Sequence, residues 1–226
     1  MATPLTAVHL DVVSSTQDEA RQRFAGRPVL VSAATQTAGR GRTGAGWETA
    51  PRALAVSLAW RPTWPAEAVA RLTLVSALAA LDGFGGDVGV KWPNDLMVGD
   101  RKVGGILTER SGDVVVTGLG ANLYWPQPPP GYGALHETDP GAAAAAHLAE
   151  AWGVRVLERA GAGPDEWGRS EYRARCLTIG RRIAWEPDGE GVAVGIAPGG
   201  GLIVVTGAGE VVLESGAVRV VWSAEH

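Results

Sequence analysis

Up to Cys176, apolar positions alternate between strand-like and helix-like spacing, and beyond it they read only as strands. Val8–Val13 is a short apolar strand. A helix is expected from Thr16, because Thr16-x-x-Glu19 fits a capping box and Asp18 and Glu19 suit the positive end of a helix dipole. Val29–Ala34 has the β-branched content of a buried strand, and Ala53–Trp60 alternates as another. Between them lies a glycine- and arginine-rich loop, Gly39–Gly46. Pro65 opens a helix to about Asp82, with Val69, Leu72, Ser76 and Ala79 on one face. Gly83, Gly85 and Gly86 end it. Val88–Trp92, Leu96–Val98 and Lys102–Glu109 read as strands, with Gly99-Asp100 as a hairpin turn. Val114–Leu119 is another strand. Pro126–Gly131 is an extended loop, since consecutive prolines donate no ladder hydrogen bonds. Asp139 to about Trp152 and Pro164 to about Arg175 read as helices.

The pattern then changes. Ile179–Glu186, Val192–Ala197, Gly201–Thr206, Val211–Glu214 and Val218–Trp222 are short β runs divided by Gly and Asp turns, as in a small all-β barrel. This predicts two units, residues 1–175 and 176–226. No internal repeat or coiled-coil heptad is evident.

Composition narrows the function classes. The 226 residues suffice to bury a core without disulfides or a structural metal. Glycine (32) and proline (14) make the chain loop-rich without reaching the level of low-complexity disorder. Twenty basic against 24 acidic side chains give a formal net charge of −4. That balance argues against a protein built to hold a nucleic-acid backbone. The single cysteine, Cys176, excludes an intramolecular disulfide and a cysteine-cluster metal site, and reads as a small buried hydrophobe. The first residues lack the basic start and apolar core of a signal peptide, and no apolar run is long enough to span a membrane. The expectation is a cytoplasmic protein. The four histidines show no metal-ligand spacing, and G-x-S-x-G and P-loop motifs are missing.

Four segments carry candidate chemistry. In Gln36 to Trp47, four glycines within Gly39–Gly46 let backbone N–H groups form an anion nest. Arg40 and Arg42 add planar cationic forks, and Trp47 offers a stacking face. The plainer alternative is a surface loop with solvated arginines. Lys91-Trp92-Pro93-Asn94-Asp95, followed by Lys102-Val-Gly-Gly105-Ile-Leu107, places lysines, an amide and a carboxylate near one hairpin. Asn94 and Asp95 suit Mg²⁺, and a lysine can neutralise a carboxylate under activation. The alternative is a plain hairpin with turn-forming Asn-Asp. Gly118-Leu-Gly120-Ala-Asn122 follows an apolar strand and reads as a strand end with a turn. Ser14-Ser15-Thr16-Gln17 can hydrogen-bond a small polar ring, or simply cap a helix.

Taken in order, these motifs resemble those of the biotin protein ligase family. The family runs from a Ser-Thr-Asn element through a Gly-Arg-Gly-Arg-x-Gly-x-x-Trp loop to Lys-Trp-Pro-Asn-Asp, Lys-x-x-Gly-Ile-Leu and Gly-x-Gly-x-Asn. Here the matching residues are Ser15-Thr16-Gln17, Gly39 to Trp47, Lys91 to Asp95, Lys102 to Leu107 and Gly118 to Asn122. The resemblance implies an α+β fold: a mixed-sheet catalytic domain like that of biotin and lipoate ligases, followed by a small SH3-like barrel. It implies two half-reactions. Biotin and ATP give biotinyl-5′-adenylate and pyrophosphate, and the biotinyl group then passes to a lysine of a biotin carboxyl carrier domain of a carboxylase.

By the same resemblance, Ser15, Thr16, Gln17 and Gln36 would contact the ureido ring. Arg40, Gly41 and Arg42 would lie along biotin and the acyl phosphate, with Arg42 and Lys102 the catalytic cations. Lys102 would hold the biotin carboxylate. Trp47, Lys91, Asn94, Asp95 and Asn122 would form the nucleotide side, with Asp95 toward Mg²⁺. A homodimer through paired sheets also fits the family.

Two positions depart from the family pattern. Ala45 stands where the loop usually carries another arginine, a loss worth about tenfold to a hundredfold in ATP affinity if that guanidinium is hydrogen-bonded. Gln17 replaces the asparagine of the Ser-Thr-Asn element. Some family members carry an N-terminal helix-turn-helix. Only fourteen residues precede Ser15 here, so no DNA binding is expected. Rival readings are a lipoyl or octanoyl ligase, a degenerate binder of biotin or its adenylate, and a generic nucleotide-binding scaffold protein.

Overall fold

The computed structural model describes residues 5–42, 46–47 and 49–221. Seven strands form one mixed sheet. In chain order they are β1 (Thr6–Val13), β2 (Val29–Gln36), β3 (Arg52–Trp60), β4 (Val88–Lys91), β5 (Asp95–Val98), β6 (Arg101–Ser111) and β7 (Val114–Tyr124). Their spatial order is β1-β2-β3-β7-β6-β5-β4. Among the described strands, β1 and β2 are the parallel pair, and α1 (Thr16–Arg23) provides the crossover that such a pair requires.

Strand register makes the two faces of this sheet chemically different. Successive strand residues point to opposite faces. On one face the cross-strand neighbours are Leu58, Thr117 and Thr108, then Val56, Leu119 and Ile106. On the other they are Ser57, Gly118 and Leu107, then Ala55, Gly120 and Gly105. The bulky face is covered by α2 (Leu72–Phe84) and α3 (Ala142–Gly161), whose buried residues join Leu30, Leu54, Leu58 and Leu119 in one core. The second face carries α1, whose Ala20 packs with Val29, Val31, Ala59 and Val116 in a smaller cluster.

Several elements differ from expectation. The helix from Pro65 is two pieces, a 3-10 segment at Ala66–Arg71 and then α2. Only Ala68 and Val69 of the first piece are buried, whereas nearly every residue from Leu72 to Leu81 is. The N-cap of α1 is Ser15 rather than Thr16, and its side chain makes no capping bond. β7 runs five residues past Leu119, so Gly118-Leu-Gly-Ala-Asn122 lies within a strand. α3 begins after Gly141, where φ is 84°, and continues through Gly153. Gly153 is there for close packing: a Cβ would lie 2.2 Å from Leu30 Cδ1. The helix expected from Pro164 is confined to α4 (Arg169–Arg175), because Gly168 precedes it at φ 92°.

The C-terminal β runs form a second, antiparallel sheet of five strands, consistent with an SH3-like barrel. They are β8 (Arg182–Trp185), β9 (Gly189–Ile196), β10 (Leu202–Thr206), β11 (Gly209–Leu213) and β12 (Val218–Val220). Ile183, Ile196 and Leu202 share the main core. The joint is also polar: Trp92 donates from its backbone to Thr178 Oγ1 (2.9 Å) and from Nε1 to the Gly200 carbonyl (3.0 Å). Tyr172 of α4 donates to the Pro93 carbonyl, next to a cis Trp92-Pro93 peptide. Among the described residues no helix is long and apolar enough to cross a membrane.

Candidate active site

A cavity of about 250 Å³ opens on the glycine-bearing face of the main sheet. Ser57, Gly105, Gly118 and Gly120 contribute to its floor. Gly120 leaves no room for a side chain, and Gly118 leaves little. A Cβ on Gly120 would sit 2.8 Å from Cε2 of Trp47, and one on Gly118 would sit 3.0 Å from Oε1 of Gln17. Without side chains, β7 lets both residues lie against its backbone.

One part of the wall is polar and buried. Ser15, Thr16 and Gln17 are all more than nine-tenths buried at the start of α1. Thr16 donates through its backbone N–H (2.8 Å) and hydroxyl (3.1 Å) to Oε1 of Gln36, and its hydroxyl also meets Ser57 Oγ at 2.8 Å. Thr16 is thereby occupied, which explains why it caps nothing. Among the described residues, Ser15 Oγ and Gln17 Oε1 have no partner. A buried polar atom without a partner costs about 1–3 kcal/mol, so these two call for a ligand or water to satisfy them.

The glycine-rich loop supplies the second part. Trp47 donates from its backbone to the Gly39 carbonyl (2.9 Å), and Arg40 bridges to Gly46, so the two described ends of the loop pair with each other. Arg42 reaches across the cavity. Its guanidinium donates to Asn94 Oδ1 (2.9 Å) and to the carbonyl of Gly216 (3.1 Å), in the turn between β11 and β12. Arg40, also on the cavity wall, makes a two-pronged pair with Asp18 (2.8 and 3.1 Å). The hydrogen bond it donates to Asp18 holds the Arg40 pKa above its usual value, with Glu109 reinforcing the effect.

The third part is charged. Lys102 Nζ pairs with Asp95 at 2.6 Å and lies 6.0 Å from the Trp47 ring centroid. Its backbone is pinned by the Gly131 carbonyl, which brings Tyr132 to the rim. Asn94 donates to the Ile106 carbonyl (2.8 Å), fixing its amide so that Oδ1 meets Arg42.

The structure thus gathers Ser15, Thr16, Gln17, Gln36, Arg40, Gly41, Arg42, Trp47, Asn94, Asp95 and Lys102 around one cavity. Two expected site residues lie elsewhere. Lys91 opposes Asp95 in the β4–β5 pair but lines a separate cavity with Arg181 and Arg219. Asn122 is fully buried within β7 and donates to the Gly133 carbonyl (3.0 Å). Ala45 lies outside the described residues. Ser57, Tyr132 and Ala217 line the cavity without any motif to announce them, since each arrives from a distant strand or turn. Cys176 is buried, and desolvation pushes its thiol up, which is the environment of an inert cysteine.

Comparison with known proteins agrees with this geometry. The family model for the biotin/lipoate A/B protein ligase family matches residues 10–122. The biotin–[acetyl-CoA-carboxylase] ligase of Mycobacterium tuberculosis is 35% identical, over 81% of this chain and 78% of that protein. The bifunctional ligase/repressor BirA of Bacillus spizizenii is 36% identical over 51% of this chain and 40% of its own length. Among solved structures, the biotin protein ligase from Aquifex aeolicus in complex with biotin and ATP superimposes with a TM-score of 0.77. It is 21% identical and covers 96% of this chain and 99% of that one. The chain belongs to the biotin/lipoate A/B protein ligase family, as a member of its biotin protein ligase branch.

Proposed function

We propose that this protein is an ATP-dependent biotin protein ligase working in two half-reactions at this cavity. A carboxylate oxygen of biotin attacks the α-phosphorus of ATP, the bond to the β-phosphate breaks, and pyrophosphate leaves. The amine of a lysine on a biotin carboxyl carrier domain then attacks the acyl carbon. An amide forms, AMP departs and the amine loses a proton to solvent. The observation that carries this reading is the composition of this cavity: two buried polar atoms without partners among the described residues, and three cationic side chains over a glycine floor.

In this reading Ser15 and Gln17 meet the ureido ring, whose N–H donors suit the free Gln17 Oε1. Thr16 and Gln36 brace each other beneath the ring. Arg40 and Gly41 flank the acyl chain. Arg42 and Lys102 balance the charge that develops when two anions are pressed together, an effect of fixed charge in a sheltered site. Trp47 packs near the adenine, with Asn94 and Asp95 on the nucleotide side. A nucleotide role for Lys91 or Asn122 would require movement, since neither lines the cavity.

A Mg²⁺ accompanying ATP would find Asp95 as its protein carboxylate. Among the described residues no three His, Cys, Asp or Glu side chains cluster, which fits an ion held mainly by phosphate oxygens. Such an ion would offset phosphate charge. The loop 39–47 would shield the adenylate from water. The unit boundary near residue 175 and a cytoplasmic setting belong to the same proposal.

The test is pyrophosphate release with ATP and Mg²⁺, with and without biotin, and with lipoate as control. Biotin-dependent release is expected, followed by labelling of a carrier domain. Release with lipoate alone would favour the sister activity. Biotin binding without release would favour a degenerate binder.

A further inference from the structure

Glu109 was not among the sequence candidates, yet it joins two of them. It lies on β6, on the same sheet face as the cavity and two positions beyond Leu107. Its Oε2 accepts hydrogen bonds from Gln17 Nε2 (3.3 Å), Arg21 (2.7 Å) and Arg40 (3.4 Å). Asp18 completes the group by accepting from both arginines, so two cations balance two carboxylates. The consequence lies in the Gln17 amide. An amide carries its donor and acceptor on one rigid plane. Three acceptors surround Nε2: Glu109, and the carbonyls of Leu107 (3.4 Å) and Val116 (3.5 Å). Glu109 is the nearest of them and the only charged one, so it gives the strongest bond. Holding Nε2 there leaves Oε1 buried, unpartnered and next to the glycine floor.

We propose that Glu109 is a positioning residue for biotin: its carboxylate orients the Gln17 amide so that the cavity presents an acceptor rather than a donor. This rests on the preceding reading of the cavity as a biotin site. A cyclic urea offers N–H groups to that acceptor, and a dithiolane offers none. Glu109 thereby acts on specificity through Gln17 without touching substrate. Without that carboxylate only the two longer carbonyl contacts hold Nε2, so the amide can turn and the cavity loses its preference for an N–H donor.

The experiment is biotin titration by calorimetry, without ATP, on the full chain and on Glu109→Ala, Glu109→Asp, Gln17→Ala and the Glu109→Ala/Gln17→Ala double variant. Glu109→Ala is expected to weaken biotin binding about tenfold, the scale of one charge-assisted hydrogen bond. Glu109→Asp keeps the charge beside Arg21 and Arg40 but withdraws it from Gln17, so it carries the same expectation if the alanine variant does not fold. In the double variant, loss of Glu109 should add little to loss of Gln17, because the two act as one unit. In pyrophosphate release, the single variants should raise KM for biotin with little change in kcat. Unchanged biotin affinity in Glu109→Asp, or full additivity in the double variant, overturns the proposal. Absence of biotin binding by the unaltered protein instead removes the underlying reading, and the proposal with it.

Discussion

The two faces of the main sheet are made from the same strands and do opposite things. On the face beneath α2 and α3, polar groups find partners. Thr117 donates to Ser76, Trp152 Nε1 donates to the Ser76 carbonyl, and Trp64 Nε1 donates to the Ala160 carbonyl. Even the exposed His9 is hydrogen-bonded, to Ser32 and Glu150. On the face beneath α1, Ser15 Oγ, Gln17 Oε1 and Trp47 Nε1 have no partners among the described residues around a cavity. One side chain in two decides which behaviour a position shows. Leu58 and Leu119 seal one side, while Ser57 and Gly118 or Gly120 next to them open the other. A sheet can carry a binding site at no cost to its core when the two tasks fall on alternate residues.

The largest expected effect tests the open face. Lys102→Ala should lower pyrophosphate release about 10²–10³-fold, the scale of removing one preorganised charge from a reacting centre. Its melting temperature should stay near that of the parent. Near-normal release would remove the electrostatic role assigned to Lys102. The sealed face should behave in the reverse way. Leu58→Ala should cost about 2–5 kcal/mol of stability, read from denaturant unfolding, as expected for a fully buried leucine. Activity per folded molecule should survive. If Leu58→Ala instead changes KM at unchanged stability, the division of labour between faces fails.

A smaller effect sharpens the boundary between them. Gly120→Ala places a methyl group 2.8 Å from the Trp47 ring, which must shift. About a tenfold rise in KM for ATP is expected, from lost packing at the nucleotide side. No change would show that Trp47 does not need its seat on β7.

The smallest effect lies away from both faces. Arg52 holds the Asp139 carboxyl below its usual pKa, mainly through their hydrogen bond. A depressed carboxylate adds stability above its unfolded pKa and loses it as pH falls through the folded value. Melting temperature should therefore decline below about pH 4, and slightly less steeply in Asp139→Asn. The pair is exposed, so the difference should be small, and a large one would mean that Asp139 anchors the start of α3.

Much of this was legible in the chain itself. Alternation located the strands, and the order of five motifs pointed to the family. Gly118-Leu-Gly-Ala-Asn122 reads along the chain as a strand end with a turn, whereas in the fold Gly118 and Gly120 are points of close approach inside β7. Their spacing by two within an apolar run carries that meaning, because it puts both on one face. Thr16 departs from its local signal for a related reason. Its local context is that of a cap, but Gln36 and Ser57 compete for it from other strands.

By itself the sequence determined the parity of each strand, the placement of loops and the identity of the groups available for chemistry. These follow from backbone geometry and side-chain type over a few residues. Only the tertiary structure decided which of two lysines entered the cavity. Lys102 sits on β6 against Asp95, while Lys91 ends an edge strand and turns to another cavity. Only the tertiary structure brought Gly216 to Arg42, and Glu109 to Gln17. Sheet order and strand register place those partners, and both are settled by burial of the whole core rather than by neighbours along the chain.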